Sequence, residues 1–172
     1  MAVAAGVQFM DARKQDKLRI PIDTITQGRN RMSKLTLAQA NAIVTAALAH
    51  AREAKFPPLA VVVLDDSGNI VAAQRDDGAS MFRIDVGRGK AWAAVSFGLS
   101  SRTVHERGVA NPVFFTSMAA ASDGKFIPQP GAVLIKDAQG AILGACGASG
   151  AHADQDEAAC AAGVQKAGFK TE

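Results

Sequence analysis

Val61-Val62-Val63-Leu64-Asp65-Asp66-Ser67-Gly68-Asn69-Ile70-Val71 decides how this chain folds. Residues 59–64 are wholly apolar and rich in Val, which predicts a buried strand. Residues 65–69 are turn formers, and residues 70–75 return as the partner strand of a hairpin. Upstream, Pro57-Pro58 ends a helix expected over 36–55. Thr36 and Gln39 have capping-box spacing there, and Leu37, Ala40, Val44, Ala47, Leu48 and Ala51 share one face. Downstream the pattern repeats: strands over 132–136 and 141–147 flank the turn Asp137-Ala138-Gln139-Gly140. A final helix is expected from a cap at Asp154, with Glu157 at the capping-box position and Gly168 as its stop. Between the hairpins, residues 83–99 predict a helix and residues 100–107 a short one. Asn111-Pro112 then supplies the N-cap and first position of another helix, running to about residue 121. Gly87 and Gly89 each cost the first of these helices about 1 kcal/mol relative to Ala, so they mark a close approach of backbones. The expected class is α/β of the α+β kind, in the order α-ββ-α-α-ββ-α: two hairpins in one antiparallel sheet, flanked by helices.

The chain's 172 residues, 48% hydrophobic, suit one domain with a sizeable core. The patterned part spans 33–172, beginning just after Met32, which has the look of a second start. Residues 1–32 form a basic N-terminal extension carrying six of the 19 Lys and Arg and three of the 16 Asp and Glu. The remainder is therefore neutral, with 13 of each sign, and has no electrostatic footprint for nucleic acid. Within the extension, residues 18–25 alternate apolar and polar, which fits an edge strand or an arm laid on a neighbouring subunit; Pro21 favours an edge. No apolar run approaches the roughly 20 residues of a membrane helix, and no basic segment precedes an apolar one in the manner of a secretory signal. Cys146 and Cys160 are too few for a disulfide framework, so a reduced cytoplasmic protein is expected.

Particular strings carry a resemblance. They are the hairpin 61–71, Arg75-Asp76-Asp77-Gly78-Ala79, Gly89-Lys90-Ala91, and Pro130-Gly131-Ala132-Val133-Leu134-Ile135. Gly144-Ala145-Cys146-Gly147-Ala148-Ser149-Gly150 and Asp154-Gln155-Asp156-Glu157 complete them. In this order and spacing, from about residue 35 to 168, the chain resembles the GlcG/HbpS-like haem-degrading family and the C-terminal domain of PduO-type proteins. The resemblance implies an antiparallel sheet flanked by helices, and dimers building to larger rings, often octamers. It also implies haem or corrinoid as ligand and links to organic-acid catabolic operons. Ala132 stands where the family has a second Gly, and Leu134 where many members have Pro. Ala93 stands where many have Thr or Ser, so a hydroxyl contact to haem from that helix is not expected.

Two sets of residues carry the functional expectations. The first is a ligand pocket for a small anion or tetrapyrrole, built from Arg75, Lys90, Pro130 and Gly131, with Trp92 and Phe115 as apolar lining. Arg75 and Lys90 would clamp a carboxylate or propionate. The Pro130-Gly131 loop, the 147–150 turn and the start of the last helix are expected to converge where a helix N-terminus favours an anion. The plainer alternatives are an Arg75–Asp ion pair, a snorkelling Lys90, and aromatics that merely fill the core. The second set is His152, Asp156 and Glu157, which could transfer a proton next to a carbonyl in an isomerase, cyclase or decarboxylase. The plainer alternative is an ordinary helix start. Imidazole and carboxylates here are also metal-ligand types, but capping accounts for the acids and no metal is assigned. Should haem bind, His50, His105, His152 and Cys146 are the axial candidates. A non-catalytic assembly partner, docking through residues 1–32, is the third functional class. No nucleophile elbow, phosphate loop or dinucleotide fingerprint is present in the sequence.

Overall fold

The computed structural model describes residues 35–171. Residues 1–32, with the strand or arm expected over 18–25, lie outside them. The elements are α1 (Leu37–Glu53), β1 (Ala60–Asp65), β2 (Ile70–Arg75), α2 (Arg83–Phe97), α3 (Ser101–Ala110), α4 (Pro112–Ala121), β3 (Ala132–Lys136), β4 (Ile142–Ser149) and α5 (Ala153–Lys166). The α+β class is as expected. The segment expected as a short helix over 100–107 is the ten-residue α3, so three helices stand between the hairpins rather than the two of α-ββ-α-α-ββ-α.

The two hairpins join through their inner strands into one antiparallel sheet, β2-β1-β4-β3. The central place of β1 explains its unbroken apolar run. Leu59, Val61 and Val63 face α1 and α5, whereas Val62 and Leu64 face α2. Both faces are covered, so alternation is lost. β3 behaves alike: Val133 and Ile135 pack on one side, Ala132 and Leu134 on the other. β4 runs two residues further than its apolar pattern indicates, because Ser149 still pairs with Ala60.

Helix α1 begins as the sequence predicts, with Thr36 and Gln39 exchanging capping-box bonds. The close approach expected at Gly87 and Gly89 is present. A side chain at Gly147 would lie 2.3 Å from the Gly87 carbonyl oxygen, and one at Gly89 would collide with Ile127. Helix α2 therefore sits almost directly on β4. A third cluster, stacked from Phe97, Phe115 and Phe126 with Ala93 and Val104, supports α3 and α4 away from the sheet. The rest of α4 is poorly covered: Val113 is 78% exposed and Phe114 46%.

Candidate functional site

The Pro130-Gly131 loop, the 147–150 turn and the start of α5 do converge, and Lys90 lies where they meet. Its ammonium donates to Asp156 Oδ2 at 2.8 Å and to the Ala148 carbonyl at 3.1 Å. Asp156 Oδ1 accepts the Ala151 N–H at 3.1 Å. Gly131 closes over the pair: its φ is +122°, and a side chain there would lie 2.7 Å from Lys90 Nζ and 2.9 Å from Asp156 Cβ. The Gly131 carbonyl accepts the Ala148 N–H at 2.9 Å, with the Cys160 thiol 3.6 Å away. Lys90 and Asp156 are 6% and 1% exposed. The snorkelling lysine is thus replaced by a buried ion pair, which ties α2, β4 and α5 together. Burial beside Cys146 pushes the Cys160 thiol well above its ordinary pKa, so it stays protonated.

Arg75 is not paired with an aspartate. Its guanidinium bonds the Ala79 carbonyl, while Arg52 makes the ion pair with Asp76. No bond joins Arg75 to Lys90. Pro130 is half-buried beside the closed Gly131. Trp92 packs against the β1–β2 turn and, edge-on, against Phe126. Phe115 is buried in the aromatic cluster and also lines a groove between α3 and α4.

The second set is dispersed by the helix start. The N-cap of α5 is His152, not Asp154, and Gln155 rather than Glu157 completes the capping box. The cap moves two residues upstream because Asp156 turns inward to Lys90 while Asp154 and Glu157 turn to Arg102. His152 consequently faces solvent, with 76% of its side chain exposed. Arg102 grips both acids, donating from Nε to Glu157 at 3.0 Å and from its terminal nitrogen to Asp154 at 2.5 Å. These bonds raise the Arg102 pKa, and they hold Asp154 below the usual carboxylate range. The sequence reading missed Arg102. An arginine two residues into a helix after a Ser-Ser cap gives no sign of a partner 52 residues away.

Of the axial candidates, Cys146 is fully buried in β4 and His50 packs edge-on against Phe56. His105 differs. Its Nδ1 lies 3.0 Å from the Pro128 carbonyl oxygen, and the ring borders a groove of about 390 Å³. Val109, Pro112, Phe115, Ala119 and Pro128 make the apolar walls. A carbonyl only accepts, so Nδ1 must carry the proton, and in the neutral ring Nε2 keeps its lone pair. Among the described residues, no three His, Cys, Asp or Glu side chains gather in a metal cluster, and no helix is long and apolar enough to cross a membrane.

Comparisons with known proteins agree with this architecture. The heme complex of PduOC has a TM-score of 0.71 at 19% identity, covering 80% of this chain and 98% of that one. Protein ORFY of Klebsiella pneumoniae gives 0.69 at 22% identity, covering 77% and 90%. HbpS gives 0.66 at 26% identity, covering 76% and 88%. No curated protein sequence matches. The family model described as "Haem degrading protein HbpS-like" matches residues 35–165, which take in the hairpins, the Lys90–Asp156 pair and the His105 groove. The chain belongs to the HbpS-like family.

Proposed function

We propose that this protein binds haem in the groove between α3 and α4, with His105 as the axial ligand. The His105–Pro128 bond carries the reading. A histidine whose Nδ1–H is held by a backbone carbonyl presents Nε2 in a fixed orientation, the usual arrangement of a metal-ligating imidazole. The groove is apolar, as a porphyrin face requires, and Phe115 and Pro128 give it flat walls. Family membership and the haem complex of PduOC support haem over other flat ligands. Bound haem would supply the redox and oxygen chemistry of its iron. The chain's own residues orient the ring, exclude water from one face and hold the histidine proton away from the iron side.

The earlier pocket of Arg75, Lys90, Pro130 and Gly131 fits this role less well, since Lys90 is fully engaged with Asp156 and Ala148. Self-assembly into dimers and larger rings belongs to the same proposal. Exposed Met81, Phe82, Val109, Val113 and Phe114 favour it, and size-exclusion chromatography with light scattering gives the subunit number.

Titration of hemin into the full chain, followed at the Soret band, tests the site. His105→Ala is expected to weaken binding at least tenfold and to shift the band, with melting little changed. An identical affinity and spectrum in the variant would remove His105 and the groove from the reading. A parallel titration with cobalamin separates the two macrocycles, because tighter corrinoid binding would reassign the ligand.

A further inference from the structure

We infer that the chain carries a second binding site, for a small organic acid, between the β1–β2 turn and α2. It is independent of the haem reading, because it uses other residues on another part of the surface. A cavity of about 460 Å³ opens there, floored by Ser67, Gly68 and Asn69 of the turn and walled by Arg88 and Trp92 of α2. Ile70 and Lys125 complete it.

Charge is the first argument. Arg52, Lys90 and Arg102 each have an acidic partner. Arg88 and Lys125 have none among the described residues, as is true of Arg83, Arg107 and other cations, but these two line the same cavity. The Arg88 Nε is closed off from water without any acceptor. A buried donor left unmatched is rare in folded proteins and calls for an explanation. The acids of the turn do not supply the match. Asp65 Oδ1 accepts the backbone N–H groups of Ser67 and Asn69, and Asp66 accepts the Ser67 hydroxyl. A guanidinium and an ammonium without counter-charge favour an oxyanion, and the planar guanidinium can bind one through two parallel bonds.

Shape is the second argument. Arg88 and Trp92 are four residues apart and so share a face of α2. A side chain at Gly68 would lie 2.8 Å from Trp92 Nε1, so only a glycine lets the turn sit against the indole edge. On its other side the ring meets Phe126 at 88°, with centroids 6.3 Å apart. Trp92 is therefore fixed in place. Its N–H has no acceptor among the described residues. The indole also borders a smaller cavity of about 260 Å³ beside Val95 and Ser96. An acid with a flat apolar body can lie against Trp92 and Ile70 while its oxyanion meets Arg88 and Lys125. Carboxylate and phosphate share this chemistry.

The test uses the haem-free full chain. Trp92 is its only Trp and there is no Tyr, so emission reports this site directly. Benzoate and phenyl phosphate are titrated, with neutral benzamide as control. A saturable change in Trp92 emission is expected with at least one acid and not with benzamide. The stronger of the two acids identifies the oxyanion. Arg88→Gln is expected to weaken binding about tenfold and Lys125→Gln severalfold. Circular-dichroism melting checks that both variants remain folded. The proposal is overturned if neither acid gives a saturable change, if benzamide binds equally well, or if Arg88→Gln binds as the parent does.

Discussion

Lys90 and Arg88 are two residues apart on one helix, and their surroundings are opposite. Lys90 is enclosed by three elements and bonded to Asp156 and Ala148. Arg88 lines an open cavity, and its Nε, closed off from water, has no acceptor. The family-marking strings Gly89-Lys90-Ala91, Pro130-Gly131 and Asp154-Gln155-Asp156-Glu157 thus build a sealed joint. The open cavity at Arg88 is floored by the family-marking hairpin, but its cations Arg88 and Lys125, and the whole of the His105 groove, come from residues outside the family strings. A motif can mark what holds a fold together as readily as what touches a ligand.

The sealed joint can be broken from either side. Lys90→Met leaves the Asp156 carboxylate buried without its counter-charge, and removal of one partner of such a pair costs about 3–5 kcal/mol. Urea unfolding should show a loss of that size, with the Lys90→Met/Asp156→Leu double variant recovering much of it. Unchanged stability in the single variant would mean that the pair does not join these elements. A smaller loss, about 1–3 kcal/mol, is expected for Gly131→Ala, which places a methyl against Lys90 at a positive φ that Ala adopts only under strain. Thermal melting measures it, and a gain in stability would contradict the closure described here.

The smallest effect belongs to the exposed side of the same helix start. Asp154 has its pKa lowered by Arg102, so its contribution is complete above the unfolded value, about 3.8. That contribution fades as the pH falls towards the lower folded value. Asp154→Asn should therefore narrow the stability difference between pH 6 and pH 3 slightly, as read by urea unfolding at both. An equal pH response in parent and variant would show that solvent screens this contact completely.

Much of the fold was legible because it depends on local rules. Val-rich runs around a turn make hairpins whatever lies nearby, and Thr36 with Gln39 caps a helix from within four residues. The paired glycines of α2 also announced their close approach, since Gly costs a helix too much to stand there without a packing reason. The cap of α5 was misplaced for a nonlocal reason. Asp154 and Glu157 have the right spacing for a capping box, but Arg102 draws both of them outward and Lys90 draws Asp156 inward. A sequence shows the side chains competing for a helix start, not the distant cations that settle the competition.

The candidate sites divide in the same way. His105 was one of four possible ligands on residue type alone, and the Pro128 carbonyl sets it apart. Arg88 and Trp92 have helical spacing that was available in the sequence, yet nothing in it says that Lys125 joins them or that Arg88 lacks an acid. The sequence by itself determined the hairpins, the helices, the neutral charge of the patterned region and the family. Each follows from interactions within a few residues or from composition. Only the tertiary structure decided which charges are paired, which histidine has its proton fixed and which cavity holds unmatched cations. Those properties depend on groups brought together from 20 to 70 positions apart, and their energies exist only after the sheet has closed and water has been excluded.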